Sequence, residues 1–99
     1  GYKMGFRAFL VKDFNIEYDA CLDFDYDREG FSEMLNKCKV GYNRFEDYDE
    51  IDCDALLNVT EEQILALKDY KQEAMRKLIN GAKNFSYAVK SNWLRVEWF

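Results

Sequence analysis

A chain of 99 residues, 48% hydrophobic and 17% aromatic, points to one folded domain over 1–99, with no room for a second domain or a deep enclosed cavity. It carries a formal charge of −5 and no histidine, so it lacks the commonest general base and the commonest neutral metal ligand. No apolar run approaches the ~18 residues of a membrane span, no signal-like start is present, and Cys21, Cys38 and Cys53 form no CxxC pair, which together predict a cytoplasmic protein with reduced thiols.

In chain order, residues 4–12 read as a strand, with Phe6, Ala8 and Leu10 alternating against Gly5, Arg7, Phe9 and Val11, and Asp13-Phe14-Asn15 supplies a turn. Residues 16–26 alternate more cleanly still. Tyr18, Ala20, Leu22, Phe24 and Tyr26 point one way and Glu17, Asp19, Cys21, Asp23 and Asp25 the other, which predicts a second strand with one buried face, paired to the first as a hairpin. Phe31, Met34, Leu35 and Cys38 follow helical spacing, so 28–38 reads as an amphipathic helix with Asp27 as its N-cap.

Residues 41–54 read as irregular and acidic, with one helical turn near Asp54-Ala55-Leu56-Leu57. Thr60 and Gln63 form a capping box, and Ile64, Leu67, Tyr70, Ala74, Leu78 and Gly81 form the apolar stripe of one long helix that stops at Asn80-Gly81. From residue 85, Phe85, Tyr87 and Val89 and then Leu94, Val96 and Trp98 predict two strands turning at Ser91-Asn92. The predicted fold is α+β in the order ββααββ: an antiparallel sheet with two helices packed on one face.

Charge is segregated along this chain. Residues 13–62 hold 16 of the 19 acids and four of the 14 bases, so the remainder is basic. Period-two spacing sets Glu17, Asp19, Asp23, Asp25 and Asp27 in a row, and Glu46, Asp47, Asp49, Glu50, Asp52 and Asp54 form a second block without an intervening base. Aspartate is a poor strand former and like charges in a row repel, so such a strand has either a partner inside the protein or a use outside it. Internal pairing to Arg7, Lys90 or Arg95, or a solvated face that blocks edge aggregation, is the structural alternative.

The functional expectation is a non-enzymatic acidic protein that occupies the basic groove of a nucleic-acid-binding enzyme through Glu17, Asp19, Asp23, Asp25, Asp27, Glu46, Asp47, Asp49, Glu50 and Asp52. Tyr26, Tyr42, Phe45 and Tyr48 lie among these acids as stacking or apolar anchors. In size, charge and missing catalytic groups the chain is similar in type to the small inhibitors of restriction or CRISPR nucleases carried by phages and mobile elements. No cofactor, metal, membrane or direct nucleic-acid contact is expected.

Three other readings compete with this one. Asp23 to Glu29 begins like a calcium loop, but Arg28 stands where that loop needs glycine and Met34 where it needs glutamate. Lys68, Lys71, Arg76, Lys77 and Lys83 offer phosphate contacts, against a pI of about 4.7. An assembly subunit whose acids serve only solubility is the bland alternative.

Overall fold

The computed structural model describes residues 7–13 and 17–99. Its strands are β1 (Ala8–Asp13), β2 (Glu17–Leu22), β3 (Tyr42–Arg44), β4 (Tyr48–Asp52) and β5 (Trp93–Trp98). Its helices are α1 (Arg28–Lys37), α2 (Cys53–Leu57), α3 (Glu61–Leu65), α4 (Tyr70–Asn84) and α5 (Ser86–Ser91). The strands form one antiparallel sheet in the order β2-β1-β5-β4-β3, so the last strand of the chain sits in the centre. This is the expected α+β class, and the element order roughly follows ββααββ.

Alternation along β5 separates the two faces of the sheet. Leu94, Val96 and Trp98 are buried, whereas Trp93, Arg95, Glu97 and Phe99 are partly or fully exposed. Ala8, Leu10, Leu22 and Ile51 join the buried face and meet Phe31, Met34 and Leu35 of α1 and Ala74, Met75, Leu78 and Ala82 of α4. Each of these large side chains removes roughly 1.5–3 kcal/mol worth of apolar surface from water, and this burial is the main term holding the layers together. The helix α5 lies at one end of the sheet. Ala88 faces the core, Ser86 Oγ donates to the Lys12 carbonyl, and the Tyr87 hydroxyl reaches Glu50.

Several details differ from the expectation. The second strand ends at Leu22 rather than at Tyr26, although burial still alternates through exposed Asp23, buried Phe24 and exposed Asp25. Within that strand, Phe9 pairs with Cys21 but Val11 pairs with Tyr18, so β2 holds one residue more than β1 across this interval. The bulge turns Tyr18 away from the core, where its ring meets Phe9 and Phe99. The expected single row of carboxylates is therefore broken. The turn residues Phe14 and Asn15, with 4–6 of the first predicted strand, lie outside the described residues.

Residues 41–54 contain a hairpin, β3–β4, in place of an irregular segment, and the helical turn starts at Cys53. The expected long helix is divided: α3 begins with the Thr60–Gln63 capping box, and α4 begins after Asp69, whose φ is 55°. Asn80-Gly81 does not stop α4. Gly81 lies within it, at a close approach where a Cβ would come 3.1 Å from Leu94 Cδ1 and from the Phe85 ring. Finally, Phe85, Tyr87 and Val89 belong to a helical segment rather than a strand. Phe85 and Ala88 bury at i, i+3, and Asn92 closes α5 in the left-handed conformation.

Candidate functional site

The acidic residues assemble where the N-terminus of α1 meets the β3–β4 turn, and Arg28 is what joins the two. Asp27 starts α1 by accepting from Gly30 N at 2.9 Å, as expected of an N-cap. That places Arg28 in the first turn, with its guanidinium under the hairpin. Nη1 donates to the Glu46 carbonyl at 2.7 Å, and Nη2 donates to the carbonyls of Phe45 at 2.7 Å and Tyr48 at 2.9 Å. The same guanidinium holds Asp49 through Nη2–Oδ1 at 2.8 Å and Nε–Oδ2 at 3.3 Å. Asp49 is wholly buried, and Trp98 Nε1 donates to its Oδ2 at 2.9 Å. This two-sided pair, with three carbonyls gathered around Nη1 and Nη2, satisfies a buried charge that would otherwise be costly.

The acidic residues divide by role. Asp49 corrects the expectation of outward-facing carboxylates, because it occupies a core position of β4 between Tyr48 and Glu50. Glu50 is also largely committed, accepting from the Tyr87 hydroxyl at 2.8 Å and lying 3.7 Å from Arg95. Asp52 caps α2 by accepting from Ala55 N at 3.3 Å. Asp27 and Asp52 thus serve helix starts, and Asp49 and Glu50 serve the sheet. Asp19 is partly buried on the edge strand β2, while the Glu17 side chain lies outside the described set.

The exposed carboxylates at this end include Asp23 and Asp25 ahead of α1, Glu29 on it, and Glu46 and Asp47 in the β3–β4 turn. Asp25 and Glu29 are paired only at the surface. Asp25 lies 3.8 Å from Arg7 with both side chains about half exposed, and Glu29 accepts from Arg44 Nη1 at 2.8 Å. Such exposed pairs contribute little and are screened by salt. Burial first, and then the carboxylates of Asp27, Asp69 and Asp23, push the Tyr70 phenol above its ordinary range, so negative potential continues around the α4 side of this end.

An aromatic surface adjoins the acids. Phe45 stacks on Tyr48 with centroids 4.6 Å apart, and Phe9 stacks on Phe99 at 4.5 Å. Between Tyr48 and Phe99 runs an open groove of about 450 Å³, which Asp47, Arg95 and Glu97 also line. Arg95 lies 3.7 Å over the Tyr48 ring and donates from Nε to Glu97 at 2.8 Å, and the other Glu97 oxygen accepts from the Tyr18 hydroxyl at 2.7 Å. Arg95 thus lies with its guanidinium on an aromatic face and a carboxylate at its edge.

Sequence reasoning did not find Arg28, Glu97 or Phe99 as contributors. Arg95 and Arg7, expected as internal partners of the acids, lie 3.7 Å from Glu50 and 3.8 Å from Asp25 respectively. The partners of the missed residues lie far away in the chain, Arg28 and Asp49 being separated by 21 positions and Tyr18 and Glu97 by 79, and no local spacing announces them. Of the aromatic anchors expected among the acids, Phe45 and Tyr48 do border the acidic end, whereas Tyr42 packs against the core. Among the described residues no group of three His, Cys, Asp or Glu side chains is placed to hold a metal ion, and no helix is long and apolar enough to cross a membrane. Compared with family models, curated protein sequences and solved structures, the chain matches none.

Proposed function

We propose that this protein acts without catalysis as an acidic binding protein that occupies the basic, nucleic-acid-binding groove of a partner enzyme. The observation that carries the reading is the convergence of Asp23, Asp25, Glu29, Glu46 and Asp47 on one end of the molecule, beside the exposed Phe45 ring and the Tyr48–Phe99 groove. A groove that normally neutralises phosphates with lysine and arginine meets here carboxylates of the same sign of charge. Steering between opposite fields makes such association fast and dependent on salt.

The Arg28 clamp supports the reading by making the acidic turn rigid before any partner arrives. Three turn carbonyls are tied to a guanidinium that is itself held by a buried carboxylate, so little ordering remains to be done on binding. The residues carrying the contact are the exposed ones. Asp49, Glu50 and Asp52 act behind them as supports.

The test is capture of basic nucleic-acid-binding proteins on the immobilised chain at about 50 and about 500 mM salt, a range over which the screening length shrinks severalfold. Bound protein is expected to fall at least about tenfold at the higher salt and to be displaced by duplex DNA. The triple variant Asp23→Asn, Asp25→Asn, Glu46→Gln should lose capture while keeping its melting temperature. Capture indifferent to salt, DNA and this variant would overturn the reading and leave the acids as solvated surface.

A further inference from the structure

The cations of this protein divide by residue type. Each of the five arginines lies within 4 Å of a carboxylate: Arg7 at Asp25, Arg28 at Asp49, Arg44 at Glu29, Arg76 at Glu61 and Arg95 at Glu97. Among the described residues no lysine makes such a pair. Three of the lysines meet at one concavity. Lys37 from the last turn of α1, Lys68 from the link between α3 and α4, and Lys71 from the first turn of α4 line a notch of about 80 Å³ floored by Met34 and Leu67.

We propose that this notch binds a dianionic phosphate group, as the free ion or as the end of a phosphomonoester. The volume fits the ligand class: about 80 Å³ of open notch is room for a small tetrahedral oxyanion. The chemistry fits as well. A lysine ammonium is a point charge with three rotating donors on a flexible stem, which adapts to tetrahedral oxygens without the planar geometry arginine demands. Three of the residues lining the notch are lysines and one is a carboxylate, Glu33, which stands one turn before Lys37 on α1 and offsets part of the charge. The notch remains positive on a protein whose net charge is −5.

The probe is sodium phosphate, titrated at low ionic strength into the full chain and followed by amide chemical shifts, with sodium chloride at matched ionic strength as reference. Saturable shifts confined to residues 33–38 and 67–72 are expected, reduced at least about tenfold in affinity by Lys37→Gln or Lys71→Gln and strengthened by Glu33→Gln. Lys90→Gln, remote from the notch, should change nothing. A nucleoside monophosphate arm distinguishes the two sources: equal affinity identifies the phosphate group alone as the ligand, and tighter binding identifies an esterified one. Shifts that chloride reproduces, or that spread over Lys77, Lys83 and Lys90, would overturn the proposal. So would duplex DNA engaging the same lysines more tightly than phosphate, which would make the notch part of a nucleic-acid surface.

Discussion

Removing the Asp49 carboxylate should cost more stability than any other single change to an acidic residue. Asp49→Ala leaves the Arg28 guanidinium, only 14% exposed, without its counter-charge and leaves Trp98 Nε1 without an acceptor inside the core. Deleting one partner of a buried pair costs about 3–5 kcal/mol, because the other charge stays buried and unpaired. Against the ~5–15 kcal/mol that holds a typical domain together, this is about a fifth of the total or more. At roughly 4–8 °C per kcal/mol for a chain of this size, the melting temperature should fall by more than about 12 °C. Asp49→Asn keeps one carbonyl oxygen toward Arg28 or Trp98, so its cost should fall below that of alanine. Removing both partners as apolar isosteres, often harmless for a buried pair, should not restore stability here, because Arg28 also pins the carbonyls of Phe45, Glu46 and Tyr48. Urea unfolding followed by tryptophan fluorescence reads all three variants. A loss under about 1 kcal/mol for Asp49→Ala would refute the view that this pair anchors the hairpin to α1.

Gly81→Ala should destabilise by about 1–3 kcal/mol despite the better helix propensity of alanine, since the new methyl meets Leu94 and the Phe85 ring at 3.1 Å, and thermal melting checks it. Burial first, and then the hydrogen bond to Glu97, push the Tyr18 phenol up to about 12, so the neutral form is the one the fold favours. The resulting stability is intact below pH 10, where the unfolded phenol is also neutral, and is lost as pH rises from 10 through 12. A spectrophotometric titration should therefore show a late-ionising tyrosine that Tyr18→Phe removes, and an unchanged curve above pH 11 would count against the assignment. Burial, with the carboxylates of Asp52, Asp54 and Glu50 behind it, pushes the Cys53 thiol up to about 11, and burial raises Cys38 as well. Both thiols should react slowly with a disulfide reagent at pH 8 in the native state and rapidly in urea, as peptide mapping of the labelled sites would show.

Local pattern carried those elements whose residues all obeyed one period. Helix α1 with its Asp27 cap, the capping box at Thr60 and the inward face of β5 were legible because caps act within three residues and burial on one face repeats at fixed spacing. The hairpin β3–β4 was hidden by Asp49. A carboxylate in a core slot breaks the apolar alternation that marks a strand, and its partner Arg28 sits on a different element. Phe85, Tyr87 and Val89 misled for the opposite reason: their period of two is real, but the packed positions are Phe85 and Ala88, at helical spacing. The bulge in β2 likewise depends on how the strand pairs with β1, not on its own residues.

By itself, the sequence determined the α+β class, the segregation of charge between 13–62 and the rest, and the absence of histidine chemistry, because each follows from composition or short-range spacing. Only the tertiary structure decided which carboxylates face solvent. Burial depends on contacts between residues distant in the chain, so it separated Asp49, Glu50 and Asp52, which are buried or partly buried and held by Arg28, Arg95 and a helix start, from the exposed Asp23, Asp25, Glu46 and Asp47. The same long-range packing brought Lys37 on α1 to Lys68 and Lys71 at the link between α3 and α4 and the start of α4, a neighbourhood set by no motif in the chain.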